Sequence, residues 1–183
     1  DGFYAYNKDQ EIQSQLTVQF LDRIVDVTKE VEAGLVGLSW ADRVKKLPEV
    51  YKSITDKVAD KELDKAGRIY SMFKDNQYIM YVYQTFRDIR LVGAPPEAVG
   101  KFGGDTDNWE WPRHTGDFSV FRVYATKDGK PATYSKENVP LVPKHFLPVS
   151  LKGIKDGDYA MIYGYPGGTN RYESSYGIKL ATD

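Results

Sequence analysis

The chain has 183 residues, which is the length of one domain or slightly more. Its 25 Lys and Arg residues against 26 Asp and Glu leave a formal net charge of −1, so it lacks the basic excess with which proteins bind nucleic acid. It contains no cysteine, which excludes disulfides, thiolate zinc sites and cysteine nucleophiles, and none of its apolar stretches approaches the roughly 18 to 20 residues of a membrane span.

The start of the chain indicates that it is part of a longer protein, and the first strand is predicted shortly after it. Residue 1 is Asp rather than Met, and the residues after it have neither the basic start nor the apolar run of a signal peptide. We therefore interpret the chain as part of a longer protein. Residues 16–27 are rich in β-branched and apolar types with partial alternation, which predicts a strand.

An amphipathic helix is predicted over residues 40–67, because apolar residues recur there at steps of three and four among charged ones. Ser39 and Asp42 have the spacing of a capping box. Pro48 is predicted to start a second helical piece, and Gly67 is predicted to end the helix.

A β-rich pattern returns after the helix. Residues 68–73 and 78–91 are predicted as paired strands around a turn at 74–77. Residues 93–116 contain five glycines, three prolines and two tryptophans without periodicity, which predicts a long loop. Long ordered loops in compact domains are commonly functional.

Two further strands are predicted beyond this loop, at residues 118–124 and 159–163. A Lys-Asp-Gly-Lys turn at 127–130 and a proline-marked connection at 139–148 separate them. The predicted class is mainly β with a short helical insertion.

Asp117 is the first candidate for chemistry, because it follows a glycine and opens an apolar-alternating strand. A carboxylate in that position is held by the sheet and faces the loop region. About 40 residues later, residues 149–168 contain a turn, a short strand and a Gly-x-Pro-Gly corner. These two segments resemble the second half of the first β-barrel of chymotrypsin-like serine peptidases, in which the triad Asp heads such a strand.

The loop before Asp117 extends the resemblance to a family. The run at 103–117, GGDTDNWEWPRHTGD, resembles the hallmark stretch of the bacterial dipeptidyl-peptidase 7 and 11 type serine exopeptidases. The run at 87–96, RDIRLVGAPP, the Gly-Phe-Tyr near the start and the segment 149–168 are similar to the same family. The resemblance covers nearly the whole chain, with residues 29–66 the least recognisable.

The resemblance implies a chymotrypsin-like double β-barrel that cuts dipeptides from peptides with a free N-terminus. The chain, 1–183, is then a partial peptidase domain, chiefly the first barrel, with its helical insertion at about 40–67 and its active-site loop at about 93–117. Asp117 would be the triad acid that accepts the Nδ1–H of the catalytic His. Asn108 and the main chain of Trp109 would bind the α-ammonium of the substrate, since an amide oxygen and a carbonyl accept its N–H donors.

Two members of the implied triad are missing from the chain. Its serines lie in neither a Gly-x-Ser-x-Gly nor a Gly-Asp-Ser-Gly context, and in the family the nucleophile belongs to the second barrel. The family's His precedes the Asp by more than a hundred residues, which places it upstream of Asp1. We therefore expect the chain to be inactive alone.

The resemblance further implies no cofactor, a periplasmic or cell-surface location and a possible homodimer of the full-length protein. It leaves open whether the residue before the cut is preferably acidic or hydrophobic.

His114 lies three residues before Asp117, and in an extended chain an odd offset sends side chains to opposite faces. We therefore interpret it as a loop hydrogen-bonding residue rather than the base.

The side chains of Trp109 and Trp111 have three alternative roles: a wall of the substrate cleft, packing in the core, or a stacking platform for carbohydrate or protein. The alternative to the peptidase is accordingly a non-catalytic peptide- or carbohydrate-binding β-barrel module.

A metal site is not predicted. Asp105 and Asp107 begin like a calcium-binding loop, but its sixth position is Glu110 rather than Gly and its twelfth is Gly116 rather than Glu. Two histidines without cysteine make a zinc site improbable as well.

Overall fold

The structure is a computed structural model that describes residues 1–104, 110, 115–161 and 173–182. The chain divides into two compact units, Asp1–Lys144 and His145–Asp183. The first unit contains both sheets. Among its described residues, the second unit contains one helix, Ser175–Thr182. Within the described part of the chain, no helix is both long and apolar enough to cross a membrane.

Strands dominate the first unit, so the prediction of a mainly β fold with a short helical insertion is confirmed. In the described residues the strands are β1 (Phe3–Tyr4), β2 (Ile12–Gln13), β3 (Val18–Asp26), β4 (Lys65–Met72), β5 (Gln77–Phe86), β6 (Asp88–Ala94), β7 (Val120–Ala125) and β8 (Val139–Pro140). The α-helices are α1 (Thr28–Gly34), α2 (Trp40–Thr55), α3 (Glu97–Gly100) and α4, the helix of the second unit. A short 3-10 helix spans Lys8–Gln10.

The strands form two antiparallel sheets. One has the order β3-β5-β4, and the other has the order β1-β6-β7-β8 with β2 also paired to β6. Helices α1 and α2 pack on one face of the three-stranded sheet, where alternate residues of β5 point inward as the two-residue period of a strand requires. The buried residues of this core are Val27, Val31, Leu35, Val50, Ile54, Tyr78, Met80 and Val82.

The strand predicted over 78–91 is two strands that belong to different sheets. The chain changes sheet at Arg87, whose Nε donates to Oδ2 of Asp64 at 2.8 Å. Phe86 and Ile89 are both buried in one core cluster together with Ala125. A straight strand cannot place residues three apart on one face, so burying both requires the break between them.

The start of the predicted helix is confirmed at Ser39. The Ser39 hydroxyl accepts a hydrogen bond from the main-chain N–H of Asp42 at 3.3 Å, as an N-cap does. The helix continues through Pro48 instead of restarting there, because Val50 and Ile54 extend its buried stripe onto the sheet.

The prediction that Gly67 ends this helix was wrong. Helix α2 ends at Thr55, and Gly67 lies within β4, opposite Val82. A Cβ atom at residue 67 would lie 2.9 Å from Sδ of Met80 and 2.9 Å from a methyl group of Val58. The glycine therefore reflects close packing of side chains over β4 rather than a helix terminus.

The later strand predictions have mixed outcomes. The strand predicted at 118–124 is β7, which begins two residues later than expected. Of the strand predicted at 159–163, the described residues 159–161 have no strand conformation and 162–163 lie outside the described residues. Tyr159 is 87% exposed, so its apolar pattern has no pairing strand or core to stabilise it within the described residues. The sequence did not predict β1, β2, β8, α1, α3 or α4. The segment 93–116 is not entirely a loop as predicted, because β6 continues to Ala94 and α3 forms at Glu97–Gly100.

Candidate functional site

The candidate site begins with Asp117, which lies three residues before β7 and is exposed to solvent. The predicted substrate-binding residues Asn108 and Trp109 lie outside the described residues, as does His114. The surroundings of Asp117 are therefore the segments that flank residues 105–114 and strand β7, which begins three residues after it.

The short helix α3 and the residue after it form hydrogen bonds with the chain on both sides of residues 105–114. On the near side, the N–H of Gly104 donates to the carbonyl oxygen of Lys101, the residue after α3, at 2.9 Å. On the far side, the N–H of Gly116 donates to the carbonyl oxygen of Val99 at 2.9 Å. The backbone next to Asp117 is thus attached to the same short segment from which the loop departs.

Gly116 is in contact with Val99 through its α-carbon as well as its N–H. A Cβ atom at residue 116 would lie 2.9 Å from Cγ1 of Val99, which is closer than side-chain carbon atoms approach one another. Only glycine fits this approach without displacing its neighbour. The residue immediately before Asp117 is therefore located by one hydrogen bond and one steric contact.

The N-terminal strand reaches the same end of the sheet. Strands β1 and β7 flank β6 and are both antiparallel to it, so they run in the same direction. Tyr4 and Val120 are both registered with Gly93 of β6. A Cβ atom at Gly2 would lie 2.7 Å from the main-chain N of Pro96. The chain therefore enters β1 and β7 at the end of the sheet where α3 lies.

A buried ion pair lies further along the same sheet. Arg90 donates to both carboxylate oxygens of Asp88, from Nε to Oδ1 at 2.9 Å and from Nη2 to Oδ2 at 2.7 Å. The side chains of Arg90 and Asp88 are 3% and 0% exposed. Nδ2 of Asn138 also donates to Asp88 at 2.9 Å, and Nη2 of Arg90 donates to the carbonyl oxygen of Ser135 at 2.9 Å. The pair attaches the segment before β8 to β6.

The guanidinium of Arg90 lies between two aromatic rings. Its Cζ is 3.7 Å from the ring centroid of Tyr124 and 4.6 Å from that of Tyr134, distances at which a cation is attracted to the ring face. The hydroxyl of Tyr124 donates to Oε2 of Glu11 at 2.8 Å, and Arg122 forms an ion pair with the same carboxylate. This cluster joins β6 and β7 to the segment between β1 and β2.

The surroundings of Asp88 and Tyr124 within this cluster shift the pKa values of both side chains. Burial opposes ionisation of Asp88, but the hydrogen bonds from Arg90 and Asn138 outweigh it, so the pKa of this carboxyl lies below its usual value. Burial, together with the hydrogen bond to Glu11, raises the pKa of Tyr124 above its usual value. Asp88 is therefore ionised and Tyr124 neutral at physiological pH, which fixes their roles as acceptor and donor.

The cluster is a structural element rather than a reactive one. Within the described residues, every buried side-chain nitrogen and oxygen has a hydrogen-bond partner, so the polar groups of the cluster are satisfied within the protein. Across the same residues, no three His, Cys, Asp or Glu side chains group together as a metal ion requires. Asp117 has an exposed carboxylate, a group that can accept an N–H from a neighbouring side chain.

Sequence reasoning did not identify this cluster. Asp88 and Arg90 were included only in a stretch that resembles a family. The available signal was the Asp-x-Arg pair in an apolar strand, because residues two apart in a strand share a face. Glu11 and Tyr124 gave no such signal, since 113 positions separate them in the sequence.

Comparison with protein families gives a match over the whole chain. The family model of peptidase S46 matches residues 1–183. The chain is 49% identical over 181 residues to an Asp/Glu-specific dipeptidyl-peptidase of Capnocytophaga gingivalis, covering 97% of this chain and 25% of that protein. It is 46% identical over 181 residues to dipeptidyl-peptidase 7 of Porphyromonas gingivalis, covering 98% of this chain and 25% of that protein.

A solved structure is similar over nearly the same range. The crystal structure of Porphyromonas endodontalis DPP11 in complex with substrate aligns with a TM-score of 0.84 and 42% sequence identity, covering 98% of this chain and 27% of that chain. The chain therefore spans about a quarter of the length of the curated relatives it matches. These similarities do not favour the alternative of a non-catalytic binding module.

Proposed function

This chain belongs to the peptidase S46 family, and on that premise we propose that it is part of a serine-type dipeptidyl peptidase that releases dipeptides from the free N-terminus of peptides. The relatives that carry the names of dipeptidyl-peptidases support this activity. The structural observation that carries it is the exposed Asp117, at the junction between an anchored loop end and β7.

In the proposed mechanism Asp117 is the triad acid. Its carboxylate accepts the Nδ1–H of the catalytic imidazole, which leaves Nε2 unprotonated and able to take the proton of the serine hydroxyl. It then stabilises the imidazolium that results from this transfer. A backbone anchored at the adjacent Gly116 is suited to this role, because the carboxylate must keep one orientation while the imidazole changes its charge.

Asn108 and the main-chain carbonyl of Trp109 are proposed to bind the substrate's α-ammonium. An ammonium group offers three N–H donors, and an amide oxygen and a carbonyl oxygen are suitable acceptors for them. Binding of the α-ammonium at one end of the substrate cleft selects peptides with a free N-terminus and places the cleaved bond two residues from it.

The remaining parts of the proposal follow from the resemblance. The sheets of the first unit are proposed to form part of the first barrel of a chymotrypsin-like fold, and the catalytic His and Ser are proposed to belong to other parts of the full-length protein. Without them the 183-residue chain is expected to be inactive. A periplasmic or cell-surface location and a homodimer of the full-length enzyme complete the proposal.

The function is tested on the full-length protein with pairs of peptides that differ only in N-terminal acetylation. Each pair is prepared with an acidic and with a hydrophobic second residue, and products are identified by mass spectrometry. We expect dipeptides from the free peptides, none from the acetylated ones, and loss of activity after treatment with a serine-directed phosphonate. Single amino acids or internal fragments as the first products would contradict the proposal.

A further inference from the structure

We propose that Val99 of α3 is a positioning residue for Asp117, acting through its contact with Gly116. The inference rests on the proposed function, since it concerns how the triad acid is held. The contacts that the structure shows are between Val99 and Gly116, the residue before Asp117. Val99 acts on the adjacent residue, so its effect is on the placement of the carboxylate rather than on the chemistry itself.

Gly116 is restrained twice by Val99. The carbonyl oxygen of Val99 accepts the N–H of Gly116 at 2.9 Å, and Cγ1 of Val99 occupies the space that a Cβ at residue 116 would require. A hydrogen bond fixes direction and a steric contact fixes distance. Together they fix the position of Gly116 and therefore of the peptide bond that joins it to Asp117.

The side chain of Val99 has little rotational freedom. Val is branched at Cβ, so its χ1 has one strongly preferred rotamer in a helix and cannot easily swing away. Val99 is nevertheless 45% exposed, so burial of this side chain adds little to the core. A large exposed fraction combined with a close contact to the residue before Asp117 is more consistent with positioning than with core packing.

Helix α3 is itself held in place. Pro96, at its N-terminal boundary, lies against Gly2 of the N-terminal segment. Glu97 accepts a hydrogen bond from Nζ of Lys101 at 2.9 Å across one helical turn. The helix also receives the N–H of Gly104 through Lys101. Val99 therefore projects from a segment that both the start of the sheet and the loop ends stabilise.

The experiment compares Gly116→Ala with Gly100→Ala in the full-length protein. An added Cβ at residue 116 meets Val99, whereas one at residue 100 meets nothing within 4 Å. A displacement of about 1 Å at a catalytic group can cost about a hundredfold in rate, so we expect Gly116→Ala to lower kcat about ten- to a hundredfold. We expect KM to change less than kcat, and Gly100→Ala to keep both constants within about twofold of the unmodified enzyme.

A rescue variant separates positioning from a general loss of folding. Val99→Ala removes Cγ1, so the double variant Val99→Ala with Gly116→Ala has room for the new methyl group. If Val99 positions Asp117, Val99→Ala alone should lower kcat about three- to tenfold relative to the unmodified enzyme, and an unchanged kcat in this variant would overturn the proposal. We expect the double variant to recover at least a third of the kcat of Val99→Ala alone. Circular dichroism and the melting temperature of each variant establish that the comparison is made between folded proteins.

The outcomes distinguish this inference from the proposed function. If Asp117→Asn retains full turnover, the proposed role of Asp117 is wrong regardless of Val99. If Asp117→Asn is inactive but Gly116→Ala turns over like Gly100→Ala, the positioning role of Val99 is overturned. It is also overturned if Gly116→Ala is slow and Val99→Ala fails to rescue it in folded protein.

Discussion

The hydroxyl of Tyr124 donates a hydrogen bond of 2.8 Å to the carboxylate of Glu11, although the two residues lie 113 positions apart in the sequence. The Glu11 side chain is only 1% exposed, and its second partner is Arg122. The bond attaches the segment between β1 and β2 to β7. Its loss is expected to weaken the sheet from which Asp117 emerges.

Tyr124→Phe is therefore expected to destabilise the protein while leaving its packing intact. The change removes a buried hydrogen bond to a charged group, which contributes about 1.5 to 3 kcal/mol. Tyr134→Phe is the matched control, because Tyr134 is 42% exposed and also lies against Arg90. Urea unfolding curves for both variants measure the difference. Equal stability of the two variants would show that the bond to Glu11 contributes nothing.

The buried ion pair of Asp88 and Arg90 predicts that the free energy of unfolding decreases at acidic pH. The pKa of Asp88 in the folded protein lies below its usual value of 3.8. A carboxyl whose folded pKa is depressed stabilises the fold above its unfolded pKa and loses this contribution as the pH falls through the folded one. Asp88→Asn should lower stability at neutral pH by about 3 to 5 kcal/mol, since it leaves the charge of Arg90 unpaired.

The difference between unmodified protein and Asp88→Asn should then shrink as the pH falls below about 4, where the unfolded carboxyl becomes protonated. Melting temperatures between pH 7 and pH 3 measure this convergence. Asp156→Asn, at an exposed position, serves as the control with no expected change. A constant difference over the whole range would rule out the ionised form of Asp88 as the source of the stability.

Asp117→Asn in the full-length enzyme is expected to abolish most turnover and leave the fold intact. Asn can donate to the imidazole and so favours the tautomer whose Nε2 is already protonated, and it also removes the negative charge that stabilises the imidazolium. In a Ser-His-Asp triad of the chymotrypsin type the same change lowers kcat roughly 10⁴-fold, so by analogy we expect a loss of about 10³- to 10⁵-fold.

A purely structural role for Asp117 predicts a different result. A side chain that only caps a strand or turn would cost about 1 kcal/mol and lower the melting temperature by a few degrees with turnover kept. Measuring kcat and the melting curve on one preparation decides between the two. Near-normal turnover with a lowered melting temperature would remove Asp117 from the mechanism.

Asn108→Ala is expected to weaken the use of substrates with a free N-terminus. Truncating a hydrogen bond to a charged group costs about 1.5 to 3 kcal/mol, which corresponds to about a tenfold to more than a hundredfold loss in kcat/KM. Asn108→Asp is an informative companion, because it keeps an oxygen acceptor at the same position. Equal cleavage of acetylated and free peptides by the unmodified enzyme would contradict an amine-binding role for Asn108.

The local sequence determined the elements whose partners lie nearby. Alternation of apolar residues predicted β3, the spacing of Ser39 and Asp42 predicted the start of α2, and the series of predicted strands indicated a mainly β class. The run from 103 to 117 pointed to a family that the comparisons confirm. Each of these signals is contained in fewer than about 20 residues, which is the range over which periodicity and capping operate.

The pairing of β4 with β5 was predicted from the sequence, whereas only the tertiary structure decided which sheet each of the other strands joins and why certain positions are glycine. Periodicity states which face of a strand is buried but not which sheet the strand joins, so the break at Arg87 between β5 and β6 could not be predicted. Gly67 resembled a helix stop until Met80 and Val58 were seen beside it. The contact of Gly116 with Val99 and the bond between Tyr124 and Glu11 likewise exist only after folding, because each depends on distances between residues that the sequence keeps apart.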